Sequence, residues 1–376
     1  MPDRCRPGAR LLALALAGLL AACGAQAAGP SPPESASRPG SAPGPAAGSA
    51  SVAVAAPSAS ASQPAAQTTA PAPRSLDKVT FTLPSQGMDF VFAAVGSQRG
   101  LFRDEGLDVS LEQAVATVGI PAVVSGQYDF TGSVGSAQSA ILQGAPLKVV
   151  MVAQDRPAYG FFARPGINSI PELKGKSLGI TTAGSAAQIM ANLVLEKYGV
   201  DPVNDITWVQ LRTPANLWAA LSTGVVDASM VGTADLVRPV KEGYVDLKIY
   251  KDPSVHNASV GLTTSEQRLR DKPDMIKRMI RGSIKAVQYM KADKAGTVPI
   301  MADFLDMSPE EAGELYDLTI DAFIPQGYAD DETLRQSLDV LVTAGEVKET
   351  PPLSQVFDLH LAREAYAELQ REGWKP

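Results

Sequence analysis

From Lys78 onward, short β-leaning apolar runs alternate with longer helical ones. Residues 78–83 (KVTFTL) alternate with period two, as a half-buried strand does. Residues 84–88 read as a turn, and 89–99 as an apolar helix closed by Gly100. Strands are then expected at 107–111, 130–133 and 147–153, with helices at 118–125 and 136–142 between them. After Asp155-Arg156-Pro157 the alternation restarts, with strands expected at 160–163, 177–181, 206–210, 228–231 and 247–250. Beyond about Val260 the pattern is helical to the end. One helix start there is well marked: Ser308-Pro309-Glu310-Glu311 supplies cap, first-turn proline and capping-box glutamate in order. Strand and helix in strict alternation predict an α/β fold built on mostly parallel sheets covered by helices.

The middle of the chain, 171–188, carries the sharpest local signal. A short strand at 177–181 runs into Thr182-Ala183-Gly184, and Ser185 with Gln188 three residues later opens a helix. A strand, a small-residue turn and a helix start present free N–H groups to an anion or polar ligand group, although an ordinary βα connection looks the same. Gly179 and Gly184 have phosphate-loop spacing, but Ser185 stands where the lysine belongs, which removes a nucleoside triphosphate site. The two alternating halves share a signature. Ser125-Gly126-x-x-Asp129 in the first matches Thr223-Gly224-x-x-Asp227 in the second. Each glycine suits a helix C-cap and each aspartate a turn into a strand, so both are structural and indicate two lobes of related design. Ligands bind at the carboxyl ends of strands in such sheets. The loops expected to line the cleft are 84–90, 116–119, 133–136, 181–185, 212–216 and 231–235, with crossings between lobes near 155–159 and 254–259.

The N-terminus changes the picture of where this fold works. Arg4, Arg6 and Arg10 precede an apolar run, 11–20, that is too short to span a bilayer, so 1–22 reads as a signal peptide. Leu20-Ala21-Ala22-Cys23 resembles a bacterial lipobox, which makes Cys23 the expected lipidation site; a standard secretory signal that happens to end in cysteine is the alternative. Cys5 leaves with the signal, and the folded part then has no disulfide and stands on hydrophobic burial. Loss of the signal's net +2 takes the formal charge from −7 to −9, and so acidic a chain has no electrostatic footprint for nucleic acid. Residues 23–76 are Ala, Pro, Ser and Gly with almost no large apolar side chains. They are expected to be a disordered tether with a reach of about 40 Å.

Several motifs together resemble a known family. Gly100-Leu-Phe-Arg-Asp-Glu-Gly-Leu-Asp-Val109, Ser125-Gly-x-x-Asp129-Phe, Gly144-Ala-Pro-Leu-Lys148, the run 166–176 and Thr223-Gly-x-x-Asp227-Ala228 are similar to the type 2 periplasmic substrate-binding proteins of ABC importers. The subgroup is the one that holds sulfonate, taurine, nitrate and thiamine-pyrimidine-precursor binders. The resemblance runs from about Lys78 to the C-terminus. It implies a two-lobe clamp with lobe 1 from 77–156, lobe 2 from 157–257, and a helical return to lobe 1 over 258–376. The implied partners are a small organic ligand, an ABC permease subunit and, through Cys23, the cell membrane, with the chain in the periplasm or on the outer cell surface. Carried over by position, first-loop contacts fall on Ser85, Gln86 and Phe90, third-loop contacts on Ser133 and Ser136, and second-lobe contacts on Thr181, Thr182 and Ser185. Thr233 lies in the last cleft loop, next to Asp235, where some relatives carry an aromatic or proline. Tyr159, beside the first crossing, is placed to stack on a flat ligand. Arg156 and Arg212 are the cations near the expected cleft. Arg156 is suited either to a ligand carboxylate or sulfonate or to a hinge salt bridge. Trp218 and Trp208 read as packing residues.

An enzyme of the same fold is the reading of a different class, since pyrimidine-synthesising enzymes share it. The residues oppose it. There is no G-x-S-x-G elbow, no cysteine after Cys23, and only two distant histidines, His256 and His360, which removes zinc catalysis. The chain is expected to be a monomeric binding protein without metal or cofactor. A ligand-sensing lipoprotein that feeds a membrane receptor is the alternative, and the sequence does not separate it from import.

Overall fold

The computed structural model describes residues 75–376, apart from Ala158, Thr182, Gly184, Ala234, Asp235 and Pro253 and the side chains of Ala186, Pro214 and Ala215. The proposed signal, Cys23 and the tether lie outside the described residues. Among the described residues, ten strands form two five-stranded sheets. The first holds β1 (Asp77–Leu83), β2 (Leu107–Gln113), β3 (Phe130–Ser133), β4 (Leu147–Gln154) and β10 (Val260–Ser265), in the order β2-β1-β3-β10-β4. The second holds β5 (Tyr159–Ala163), β6 (Lys176–Ile180), β7 (Ile206–Gln210), β8 (Ala228–Gly232) and β9 (Val245–Asp246), in the order β7-β6-β8-β5-β9.

The two orders are the same pattern. In each sheet one strand, β10 or β5, runs antiparallel to both neighbours, and each is entered directly after a crossing between sheets. The remaining pairs are parallel, such as Val79↔Val109 in the first sheet and Leu178↔Trp208 in the second. This is a two-lobe α/β fold with mostly parallel sheets flanked by helices, as the alternation implies. The shared signature does the same job twice. Gly126 and Gly224 sit at φ 81° and 78°, where glycine carries no Cβ penalty. The following aspartates each accept a hydrogen bond from a backbone N–H of the strand that runs parallel beside the one they lead into, Thr80 to Asp129 at 2.7 Å and Ser177 to Asp227 at 2.9 Å.

Two local expectations differ from the structure. Residues 247–250 are not a strand: β9 is only Val245–Asp246, and a 3-10 turn follows over Ile249–Lys251. Lys248 adopts a left-handed backbone, φ 54°, which ends pairing, and Ile249 and Tyr250 are apolar because they are core, not because they alternate. The region after Val260 begins with β10 before it turns helical. All six of its residues are buried, so Val-Gly-Leu-Thr-Thr-Ser shows no two-faced pattern.

The first lobe is held by the helix Pro273–Ala292, whose Met275, Ile276, Met279, Ile280, Ile284 and Val287 are buried. It packs on the helices Val91–Gln98 and His360–Arg371. Phe102 lies between two glycines, and a Cβ on Gly96 or Gly282 would come within 2.5 or 2.6 Å of its ring. An ion network joins Glu105, three residues past Phe102, to the helix Pro273–Ala292 and to the C-terminal end of the helix His360–Arg371. Glu105 bonds Arg281 Nε at 2.8 Å and Lys285 Nζ at 2.5 Å, and Arg281 also reaches Glu368 at 3.2 Å and Glu372 at 2.7 Å. Helix starts are capped as the sequence suggests. Ser185 accepts from the Gln188 N–H, and Ser308 and Glu311 form the reciprocal box.

Candidate functional site

A cavity of about 390 Å³ opens between the lobes, within the range of small-molecule sites. Four groups of residues bring its lining together. The turn after β1 gives Pro84, Ser85, Asp89 and Phe90. The end of β3 and the helix Val134–Leu142 give Gly132, Ser133, Ser136, Gln138 and Ser139. The second lobe gives Tyr159 from β5, with Ile189 and Met190 from the helix Ala186–Lys197. The second crossing and the helix Asp331–Thr343 give Asn257, Ser259, Ser337, Val340 and Leu341.

These positions follow from local structure. β1 ends at Leu83, and the 3-10 turn Met88–Phe90 turns Asp89 and Phe90 inward, both buried. Gly132 makes room for Phe90, since a Cβ there would stand 2.6 Å from its ring. A polar network fixes the second crossing. Gln138 donates to the Ala258 carbonyl at 2.7 Å and to Ser337 Oγ at 2.9 Å, and Ser337 also donates to the Ala258 carbonyl at 3.2 Å.

Asp89 dominates the electrostatics. Its Oδ2 accepts from Thr233 Oγ1 at 3.0 Å, a bond that joins the turn after β1 to the segment after β8 and so ties one lobe to the other. Its Oδ1 is buried and has no partner from the protein, and the same holds for Ser133 Oγ and Ser259 Oγ. Burial pushes the Asp89 carboxyl up to about 6, against the lowering pull of the Thr233 and Gln154 side chains. Burial also raises the Tyr159 phenol, and the Asp89 charge adds to that rise.

Of the residues expected to touch ligand, Ser85, Phe90, Ser133, Ser136 and Tyr159 line the cavity. Gln86 is exposed, and Thr181 and Ser185 are half-buried; none of the three is among the lining residues. Thr182 lies outside the described residues. Thr233 is buried behind Asp89. Arg156 stands with its Nε 3.3 Å from Asp155 Oδ1 at the first crossing and is not among the lining residues. Arg212 is exposed, holds a left-handed backbone at φ 70°, and donates its N–H to the Thr181 carbonyl at 2.8 Å. Trp218 packs edge-on against Tyr244 with Arg238 over its face, and the Trp208 indole donates to the Pro202 carbonyl.

Sequence reasoning missed Asp89 and the wall from the helix Asp331–Thr343. The available signal for Asp89 was a lone acid inside an apolar run, Gly-Met-Asp-Phe-Val-Phe, where a core residue is expected. No group of three or more His, Cys, Asp and Glu side chains suited to a metal ion occurs among the described residues.

Residues 88–295 match the family model described as NMT1/THI5 like. The chain belongs to the NMT1/THI5-like family. This NMT1/THI5-like chain is 26% identical over 283 residues to the riboflavin-binding protein RibY of Chloroflexus aurantiacus, covering 72% of this chain and 74% of that one. Its fold is similar to the periplasmic aliphatic sulphonate binding protein SsuA of Escherichia coli, with TM-score 0.61 at 18% identity over 75% of this chain and 92% of that one. It is also similar to the desulfurization enzyme DszB, with TM-score 0.59 at 17% identity over 79% of this chain and 99% of that one. The NMT1/THI5-like fold therefore carries both binding proteins and an enzyme, and the site has to separate the two.

Proposed function

We propose that this chain is the extracytoplasmic substrate-binding component of an ABC importer, tethered to the membrane by lipid on Cys23 and working as a monomer. Lobe 1 (77–156 and 258–376) and lobe 2 (157–257) close as a hinged clamp around one small organic ligand, and the closed form docks on a permease subunit. The observation that carries this reading is the inter-lobe cavity lined by Phe90, Tyr159 and several hydroxyls, with three buried polar atoms that no protein group satisfies. Buried polar groups are normally paired, and a captured ligand would pair these. The RibY likeness supports binding over catalysis. So does the lining, which lacks cysteine and histidine and offers no nucleophile with an adjacent base.

The test is a thermal-melt screen of the chain against sulfonates, nitrate, aromatic carboxylates, pyrimidines, riboflavin and amino acids. A ligand at 100 times its Kd adds about 2.7 kcal/mol, or about 4 °C for a folded part of some 300 residues. The shift should vanish in Tyr159→Ala and Ser133→Ala. A hit that survives both substitutions places capture elsewhere, and turnover of any compound overturns the binding-protein reading. Radiolabelled palmitate incorporation that persists in Cys23→Ser would remove the proposed anchor.

A further inference from the structure

The charge of the inter-lobe cavity is one-sided. Its ionisable lining groups are Asp89, Glu346 and Tyr159, and no lysine or arginine lines it. The residues of 75–376 outside the description are Ala, Thr, Gly, Asp and Pro, so none of them adds a cation. Glu346 is exposed, and its charge is largely screened by water. Asp89 lines the cavity, is only 9% exposed, and holds one buried carboxylate oxygen that no protein group partners.

An ionised carboxylate oxygen can only accept hydrogen bonds, so whatever meets Oδ1 must donate. A sulfonate or carboxylate offers only acceptors and brings a like charge into a buried site. The unpartnered hydroxyls of Ser133 and Ser259 can donate or accept, and they suit a ring nitrogen or carbonyl. Phe90 and Tyr159 supply the aromatic surface.

We propose that Asp89 is the residue that reads the ligand's charge: it accepts hydrogen bonds from the N–H edge of an uncharged or cationic ring and turns away anionic ligands. This rests on the cavity being the capture site. Two polar neighbours keep Asp89 in place for the task. Thr233 reaches it from the segment after β8, and Gln154 acts on it from the end of β4. The titratable group facing it is Tyr159 on β5, whose own titration feels the Asp89 charge. With its carboxyl at about 6, Asp89 is ionised above neutral pH and loses its charge in mild acid.

The experiment is isothermal titration of the full chain in mild detergent at pH 7.5. The probes share one ring size: benzamidine and 4-aminopyrimidine as N–H donors, benzenesulfonate and benzoate as anions. The proteins are the unaltered chain, Asp89→Asn and Tyr159→Ala, each checked by its melting temperature. The expected result is binding of an N–H probe that weakens at least tenfold in Asp89→Asn, while both anions bind the unaltered chain at least tenfold more weakly than that probe. N–H probe affinity should also fall about tenfold per pH unit below pH 6, as the carboxylate protonates, and should lose that dependence in Asp89→Asn. An N–H probe that binds Asp89→Asn as tightly as the unaltered chain overturns the assignment. If benzenesulfonate binds and Tyr159→Ala abolishes it, the capture site stands and the role given to Asp89 falls. If no probe of either kind binds, both readings fall together.

Discussion

Glu105 offers the sharpest test of how the C-terminal helices are fastened to the first lobe. Its side chain is 8% exposed and faces two cations, Arg281 at 12% and Lys285 at 10% exposure. Glu105→Gln keeps the shape and deletes the charge. Arg281 retains Glu368 and Glu372, but Lys285 has no other ion pair among the described residues and keeps only the longer-range pull of Glu372 and the Trp374 ring, 5.8 Å from its Nζ. Removing one member of a buried ion pair costs about 3–5 kcal/mol, because the other charge stays buried. A folded part of some 300 residues unfolds with an entropy of about 0.6 kcal/mol/K, so the melting temperature should fall by about 5–8 °C. Urea unfolding should show the same loss in midpoint with an unchanged slope. The decisive comparison is the double variant Glu105→Gln/Lys285→Met. Lys285→Met takes away the charge left unpaired, and that uncompensated charge is what makes breaking a buried pair costly, so the second substitution should recover most of the loss. A single variant that loses less than about 1 kcal/mol, or a double variant no more stable than the single, would refute the claim that the uncompensated lysine charge sets the cost.

Three further substitutions test the site and its frame. Asp89 has a raised folded-state carboxyl, about 6 against 3.8, so between those values the native state holds the proton more tightly than the unfolded state. Stability therefore falls as pH rises from about 4 to 6, by about 3 kcal/mol in total for this group. The urea midpoint of Asp89→Asn relative to the unaltered chain should rise across that window and stay higher at pH 8; a flat difference contradicts the burial argument. Gly261→Ala should prevent folding or cost more than about 3 kcal/mol, since its Cβ would stand 2.0 Å from the Met151 carbonyl oxygen, backbone against backbone. Gly132→Ala is the contrasting case. Its Cβ meets a Phe90 ring edge at 2.6 Å, but the ring borders the cavity and can move into it. Circular dichroism should show a folded protein that melts within a few degrees of the original while ligand affinity falls. Unchanged affinity with lowered stability would put the ligand away from Phe90.

Much of the fold was legible because its strands are bounded by strong punctuation. Gly126 and Gly224 end helices and Asp129 and Asp227 begin strands, so the repeated signature revealed two related lobes before any pairing was known. β10 was illegible for the opposite reason. Flanked on both edges and buried on both faces, it has no alternation to read. The cavity was partly legible. The turn after β1 and the end of β3 sit at strand carboxyl ends, where ligands are expected, and they supply Ser85, Phe90, Ser133 and Ser136. The wall from Ser337, Val340 and Leu341 comes from more than 200 residues further along the chain. Its placement depends on the Gln138–Ser337 bond, which no local pattern encodes. In the sequence Asp89 is inconspicuous, since an acid near a helix start has an ordinary explanation in the helix dipole. Only its burial and its bare oxygen show that the dipole is not the whole reason for it.

The register of the first sheet bears on how such a molecule could be taken apart. β4 and β10 are antiparallel neighbours, and Gln154 pairs directly with Val260. All of the second sheet lies in the chain between those two partners. Antiparallel neighbours need no more than a two-residue turn to join them. The second lobe is thus a long loop drawn out from what would otherwise be a hairpin. Cutting it out and closing Gln154 to Val260 with Asn-Gly would leave every hydrogen-bonded strand pair of the first sheet in place. The chain is in this sense a guest domain carried by a host, and a protein could gain or lose its jaw without rewriting the body that bears it.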